Sequence, residues 1–464
     1  MGADFSSYLS PFSWRYGSKA MREIWSEENK ARTWRRIWVA LAETEAQFGL
    51  VNEDQLADLK AHQDDIDLKR TAEFEAKFHH DVMAEIHTYQ EQAPIGGIIL
   101  HLGATSSDIK DNAVVLQCKD ALAIVIEQAK VVLGCLAEKM LAWAGKPIIA
   151  FTHLQPAEPT TLGYRMALYA QDILMDYESL LQLSHSLRGK GIRGAVGTGA
   201  SFAEIIGADN VDQFDSLLSN QLNLPFFDIV SQTYPRKQDL LILNALSSLG
   251  ASLHKFAFDL RLMQSPVIGE WSEPFGSSQI GSSAMPFKRN PINAEKMNSL
   301  ARLLAQYPAV AWGNAANALF ERTLDDSANS RIILPEAFLI CDELLKTTTS
   351  ILNGMGLWEE QMDFNFHTYA PFAAVETILM AACQRGADRQ EMHECLRRLS
   401  LLAWEKVMHH EPNDLLSMIR EDATIREYLS TEDLDQLPPI EAYIGFAESR
   451  TRKLAEDIVQ RLSR

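Results

Sequence analysis

The chain has 464 residues, of which 47% are hydrophobic and 23% charged, and a formal net charge of −19. This balance suits a soluble globular protein of several domains. It excludes a general nucleic-acid binder, whose basic surface must displace counterions from phosphate. An anionic small molecule is compatible with it, provided a local cluster of Arg, Lys, His and free backbone N–H groups receives that molecule. The five cysteines, Cys118, Cys135, Cys341, Cys383 and Cys395, are widely spaced and form no CxxC pair. They predict buried thiols in a reducing compartment, with no disulfide framework and no thiolate metal site. No apolar run approaches the ~20 residues that span a bilayer. The start "MGADFSSYLS" lacks the basic and apolar regions of a secretory signal, although it fits the short myristoylation pattern M-G-x-x-x-S. No membrane partner is expected, and the cytoplasm is the expected location.

In chain order, the periodicity is helical nearly throughout. In "TWRRIWVALAETEAQFG", Trp34, Ile37, Trp38 and Leu41 recur at i, i+3, i+4 and i+7, and Gly49 is a stop signal. From Asn112 to Trp143, the stripe Val115, Leu122, Val125, Ile126, Ala129, Val132, Leu133, Leu136 and Met140 predicts one long helix, ended by Gly145-Lys146-Pro147. Similar stripes predict helices over about 160–188, 236–264, 292–318 and 334–353. "KPIIAFTHLQP" is too short and too proline-bounded to anchor a sheet. Helices this long bury their stripes only against one another, so the fold class is all-α with a central bundle. Any apolar surplus beyond what one chain buries implies oligomerisation. Loop-rich breaks at 96–108 and 357–371 set the expected domains at 1–108, 109–357 and 358–464.

Several motifs carry candidate chemistry. "GKGIRG" (189–194) has the G-x-G-x-x-G spacing but no preceding strand, so it reads as a turn between helices, not as a dinucleotide loop. "HHDVMAEIH" puts His80 and His87 on one helix face beside Asp81 without an HExxH zinc pattern. These are either half-exposed helix residues, or His80 and Asp81 face a pocket at a helix start. In "HLGATSSD" (101–108), Ser106 or Ser107 either caps the following helix, or Thr105, Ser106 and the free N–H groups bind an anion there. His153, in the extended "FTHLQP", is either structural or an acid–base group near neutral pH. "FERTLDDSANSRI" (320–332) offers Arg322, Ser327 and Arg331 either to surface salt bridges or to a carboxylate or phosphate. "SSQIGSSAMPFKRNPINAE" (277–295) ends in Asn290-Pro291, a helix-start signal. It is either a connector, or it sets Lys288 and Asn290 beside the N–H groups of a helix that receives an anion.

Together these segments carry a resemblance. "GSSAMPFKRNP" resembles the signature loop of the fumarase/aspartase superfamily. "ARTWRRIW", "HDVMAEIHT", "IILHLGATSSD", "FTHLQPAEPTTLG", "GTGASF", "QTYPRKQD", "SLGASLHK" and "FERTLDDSANSRI" are similar to the adenylosuccinate lyase family, and "GADRQEMHECLRR" extends the likeness toward the C-terminus. The resemblance implies a three-domain all-α subunit, a homotetramer with active sites shared among subunits, no cofactor and no metal. The implied reaction releases fumarate from adenylosuccinate, giving AMP, and from the succinylated carboxamide ribotide. Ser282 is then the base that removes a carbon-bound proton, and His153 the acid for the leaving nitrogen, supported by His80. Lys288 and Asn290 stabilise the aci-carboxylate. Arg15, Tyr16, Thr105, Ser106, Arg322, Ser327 and Arg331 hold phosphate and carboxylates, and Gln232 orients the succinyl group. His79, Asp81, His101, Thr152, Glu295 and Lys296 complete the implied substrate contacts. Two positions depart from the family pattern: His79 and Lys296 stand where Arg is frequent, and Lys lacks the bidentate fork of Arg. Argininosuccinate lyase, aspartase and fumarase share the loop but are expected to lack "HDVMAEIHT" together with "FERTLDDSAN". A non-catalytic helical scaffold is the other alternative, and the joint presence of His153, Ser282, Lys288 and Asn290 argues against it.

Overall fold

The computed structural model describes residues 6–276 and 278–463, so Gly2 of the myristoylation pattern and Ser277 lie outside the described residues. The described chain is mostly helical, with two small two-stranded sheets. The Glu27–Gln47 helix starts at Ser26, whose hydroxyl accepts the Asn29 N–H, and its first turn carries Glu27 and Glu28 against the helix dipole. Its predicted stripe, Trp34, Ile37, Trp38 and Leu41, is buried.

The predicted long helix runs Ser106–Ala142 and begins earlier than its apolar stripe indicates. The extra turn is polar and is closed by Asp108, whose carboxylate accepts the Thr105 N–H at 2.7 Å. Ser106 and Ser107, expected as caps, therefore lie inside the helix. The stripe expected over 292–318 is two helices, Ile292–Leu304 and Tyr307–Ala316, because Pro308 has no N–H to continue the ladder. The last stripe extends to Ser327–Gly354, with a first turn too polar to show periodicity. The Lys237–Met263 helix is long and apolar enough, by length and composition alone, to cross a membrane. Half of its most apolar window is buried (50%) within the single chain. The expectation about spanning length thus holds for unbroken apolar runs, but not for a helix with polar interruptions.

The chain divides into two compact units, and the division falls inside five helices. The first comprises Met1–Ala129, Met175–Leu253 and Ser299–Lys346. Within it the fully buried Arg35 pairs with Glu85 at 2.7 Å and lies 4.3 Å over the Tyr89 ring. The "GKGIRG" segment is a turn, as expected: Gly191 has φ +74°, and its N–H and C=O are both bonded to the Asn112 side chain. Lys190 of that turn reaches the fully buried Asp108, which also accepts the N–H groups of Arg193 (3.0 Å) and Gly194 (3.1 Å).

The second unit comprises Lys130–Leu174, His254–Asn298 and Thr347–Arg464. Its strands Pro147–Thr152 and Gln155–Thr161 pair antiparallel, with Pro147 opposite Thr161 and Thr152 opposite Gln155. "KPIIAFTHLQP" is thus the first strand and turn of a hairpin, braced by Arg165, which donates to Ile149 O (2.6 Å) and to Glu270 (2.9 Å). A separate core of Ile378, Leu396, Leu415, Ile419 and Ile425 holds the C-terminal helices together.

Glu45 in the first unit is buried, and its Oε1 has no hydrogen-bond partner. Burial pushes its carboxyl up to about 8. A carboxyl raised on folding stabilises the fold in its protonated form, so that contribution is lost as pH rises through about 4.5 to 8. Glu45→Gln is expected to flatten this loss and to melt higher than wild type at pH 8, by a margin worth about 2–4 kcal/mol. Thermal melts of both proteins across the pH range check it, and equal melting points at pH 8 contradict it.

Candidate active site

Within the first unit, five chain segments converge on a cavity of about 650 Å3. His79 and His80 join two helices: His79 ends Leu68–Phe78 in the left-handed region (φ +53°), and His80 caps Asp81–Gln92. The His80 Nδ1 accepts the Met83 N–H at 3.3 Å, which leaves the proton on Nε2 in the neutral ring. That Nε2 lies 3.3 Å from the Ser106 hydroxyl. Asp81 receives Lys110 at 2.7 Å and Arg331 at 3.3 Å. Burial pushes its carboxyl up, but these cations outweigh that effect and hold it below the ordinary range. Thr105 and Ser106 form the start of the 106–142 helix at the cavity wall, and Gln232, Arg322, Ser327 and Arg331 line the remainder. Parts of "HHDVMAEIH", "HLGATSSD" and "FERTLDDSANSRI" thus share one cavity wall, while His87 and His101 of the first two are not among its lining residues.

Arg15, Tyr16 and His101 are not among the residues lining this cavity. Arg15 is exposed beside the Trp14 and Tyr16 rings. His101 packs edge-on against Trp38 and accepts its indole N–H at 3.3 Å.

The second unit carries the other expected residues. His153 and Leu154 are the two turn residues of the hairpin, with φ of +55° and +59°. This is the left-handed geometry that a tight two-residue hairpin requires, here without glycine. It leaves Thr152 and His153 exposed at the tip. The 278–291 loop closes on itself. The Ser282 hydroxyl oxygen accepts the N–H groups of Met285 (3.0 Å) and Ala284 (3.3 Å), and the Asn290 amide donates to Gly281 O at 2.9 Å. A Cβ on Gly281 would stand 2.1 Å from Lys288 O, so only glycine permits this closure. Glu295 lies 3.7 Å from Arg261, and Lys296 follows it in the Ile292–Leu304 helix.

One expectation about this loop is corrected. Asn290 does not cap the helix, because its side-chain amide turns back to donate to Gly281 O. The next N–H groups after that of Ile292, those of Asn293 and Ala294, are taken by the Glu273 carboxylate at 3.1–3.2 Å. The positive end of that dipole is filled by the protein's own anion and is closed to another.

Apart from Asp81, sequence reading missed the carboxylates that match the cavity's cations. The lining holds Lys30, Lys110, Arg236, Arg322 and Arg331 against Glu27, Glu75, Asp81, Asp111, Asp239 and Asp326. Arg236 pairs with Asp111 and Asp326, and Arg322 shares Asp326. Burial pushes Asp239 up to about 6. The quoted "QTYPRKQD" and "HLGATSSD" segments contain or adjoin these residues, but spacing alone cannot show that charges distant in sequence neutralise one another.

Solved structures of other proteins have the same fold. Solved structures of a 3-carboxy-cis,cis-muconate lactonizing enzyme from Pseudomonas putida (TM-score 0.84, 24% identity, 98% of this chain and 99% of that one) and of a fumarate lyase from Mesorhizobium sp. BNC1 (TM-score 0.83, 24% identity, 97% and 99%) share it. The family described as Lyase matches residues 17–304, which sets the class. The family described as Adenylosuccinate lyase C-terminus matches residues 371–463. Adenylosuccinate lyase from Schistosoma mansoni is 40% identical over 403 residues, covering 86% of this chain and 84% of the relative. The same enzyme from Saccharomyces cerevisiae is 37% identical over 461 residues (98% and 95%), and that from Pyrococcus horikoshii 37% over 454 (97% and 97%). The chain belongs to the adenylosuccinate lyase family.

Burial, followed by the neighbouring His80, holds the His101 imidazole down to about 4. A histidine lowered on folding stabilises the fold in its neutral form, so this contribution is complete above about 6.5 and is lost as pH falls from there toward about 4. His101→Gln is expected to lose that acid-side slope, worth about 3 kcal/mol in the wild type. Denaturant midpoints of both proteins between pH 4 and pH 7 test it, and parallel pH profiles contradict it.

Proposed function

We infer that this protein eliminates fumarate from adenylosuccinate to leave AMP, and from the succinylated aminoimidazole carboxamide ribotide to leave the carboxamide ribotide. The observation that carries this reading is the convergence of His79–Asp81, Thr105–Ser106, Gln232 and Arg322–Arg331 on one nucleotide-sized cavity in a member of this family. Fumarate release alone needs no phosphate site, whereas a nucleotide does.

In the proposed mechanism Ser282 takes the proton from the succinyl carbon adjacent to a carboxylate. The aci-carboxylate that forms carries about two negative charges, which Lys288 and the Asn290 amide stabilise. The carbon–nitrogen bond then breaks, and His153 protonates the leaving nitrogen, with His80 in support. A serine hydroxyl is a poor base. Here its oxygen already accepts two backbone N–H groups, which favour the alkoxide. These donors replace the helix dipole, which Glu273 has claimed. Arg15, Tyr16, Thr105, Ser106, Arg322, Ser327 and Arg331 receive the phosphate and carboxylates, Gln232 orients the succinyl group, and His79, Asp81, His101, Thr152, Glu295 and Lys296 complete the contacts. Gly and Ser residues of the 278–291 loop act as lid hinges, and the exposed Met285 and Phe287 close over substrate.

The same reading makes the protein a cytoplasmic homotetramer of three-domain subunits (1–108, 109–357 and 358–464) that share their active sites. Leu168, Met175, Leu241, Phe258 and Trp312, all on helices of the predicted bundle, are exposed in the single chain and support burial against other subunits. The described cysteines are all free, which supports a reducing compartment.

Purified protein assayed spectrophotometrically is expected to turn over adenylosuccinate but not argininosuccinate, aspartate or malate; turnover of any of the last three defeats the assignment. Ser282→Ala and His153→Ala are each expected to lower kcat by about 10^2-fold or more, with the tetramer intact by light scattering. Full activity in either variant removes the role assigned to that residue.

A further inference from the structure

Arg236 lines the cavity, but only 12% of its side chain is exposed. Its guanidinium forks onto Asp111 with two contacts of 3.2 Å, and its Nε donates to Asp326 at 2.7 Å. The Tyr234 ring lies 4.5 Å beneath it, and the Tyr234 hydroxyl donates to Asp239 at 2.5 Å. Asp111 also accepts the Tyr234 N–H at 3.0 Å. The second oxygen of Asp326 accepts from Arg322 at 2.9 Å. Gln232 N–H donates to Glu321 O at 3.1 Å, adding a backbone tie between the same segments.

Arg236 therefore joins three stretches: the start of the 106–142 helix, the 232–236 turn and the 319–326 loop. All three carry residues assigned to substrate: Ser106, Gln232 and Arg322. The charges matter as much as the geometry. With Arg236 present, Asp326 divides its charge between two guanidinium groups, so Arg322 can be given up to an incoming anion. Without Arg236, the nearly buried Asp326 would have Arg322 as its remaining guanidinium partner and hold it more tightly. Lysine cannot replace this, because a single ammonium does not span two carboxylates with a planar fork.

We propose that Arg236 is the positioning residue of the anion site: by bridging Asp111 and Asp326 it keeps Arg322 and Gln232 in place and Arg322 available to the nucleotide. The identity of the ligand rests on the functional reading above.

The test measures AMP affinity by calorimetry and steady-state kinetics on adenylosuccinate, with folding and assembly checked by thermal melting and light scattering. Arg236→Met is expected to weaken AMP and to raise KM by about tenfold or more, with a smaller change in kcat. Arg236→Lys recovers little of this. Adding Asp326→Asn to the Met variant removes the surplus carboxylate and restores part of the AMP affinity, which a general loss of structure would not allow. If the Met variant does not fold, Arg236→Lys carries the comparison with the same readouts. A folded variant whose AMP affinity and KM stay within about twofold of wild type overturns the proposal. Wild-type protein that binds AMP without cleaving adenylosuccinate defeats the reaction assigned above, and the AMP comparison still decides the role of Arg236. Wild-type protein that does not bind AMP overturns both.

Discussion

Asp108 is the carboxylate on which the first unit depends. It is fully buried and receives the Lys190 ammonium together with the N–H groups of Thr105, Arg193 and Gly194. Burial pushes its carboxyl above the ordinary range, with Lys190 and the backbone donors working against that shift. A charge so placed is tolerable only because every donor around it is aimed at it. The arrangement fixes where the 106–142 helix begins, and hence where Thr105 and Ser106 stand. Ser106 meets His80, and Asp81 beside His80 meets Lys110 one turn further along the same helix. One polar knot thus places several of the candidate site residues.

The cavity wall is charged but close to neutral, so anion binding there is an exchange rather than an addition. Lys110 and Arg331 are already engaged by Asp81, and Arg322 by Asp326. Such pairing keeps these cations from standing unpaired before the ligand arrives. It also means that affinity depends on how readily the carboxylates release their partners, which makes the residues behind the first contacts as consequential as the contacts themselves.

The second unit handles its polar groups differently. The Ser282 oxygen is held by two backbone N–H donors inside a loop closed by Asn290 and Gly281, while Glu273 neutralises the adjoining helix start. Under the proposed mechanism, local donors and not the macrodipole would favour the serine alkoxide. His153 stands at a hairpin tip in a backbone conformation that few non-glycine residues adopt, a strain found often where a side chain must be presented at a defined angle.

The helical class, the long bundle helices and most of the pocket motifs were legible in the sequence. Helical periodicity and cap residues act over a few residues, and the relevant side chains were present in order. The buried stripe of Trp34, Ile37, Trp38 and Leu41 and the 106–142 helix follow from that local physics. The tertiary structure decided what depended on distant partners. Glu273 took the helix start expected to be free, Asn290 turned into its own loop, and His101 packed against Trp38. Arg236 became the bridge between Asp111 and Asp326, residues that lie 215 positions apart in the chain. Sequence spacing specifies which groups share a helix face. Only the folded chain decides which charges neutralise one another, because Coulomb attraction and desolvation depend on distance and burial in space.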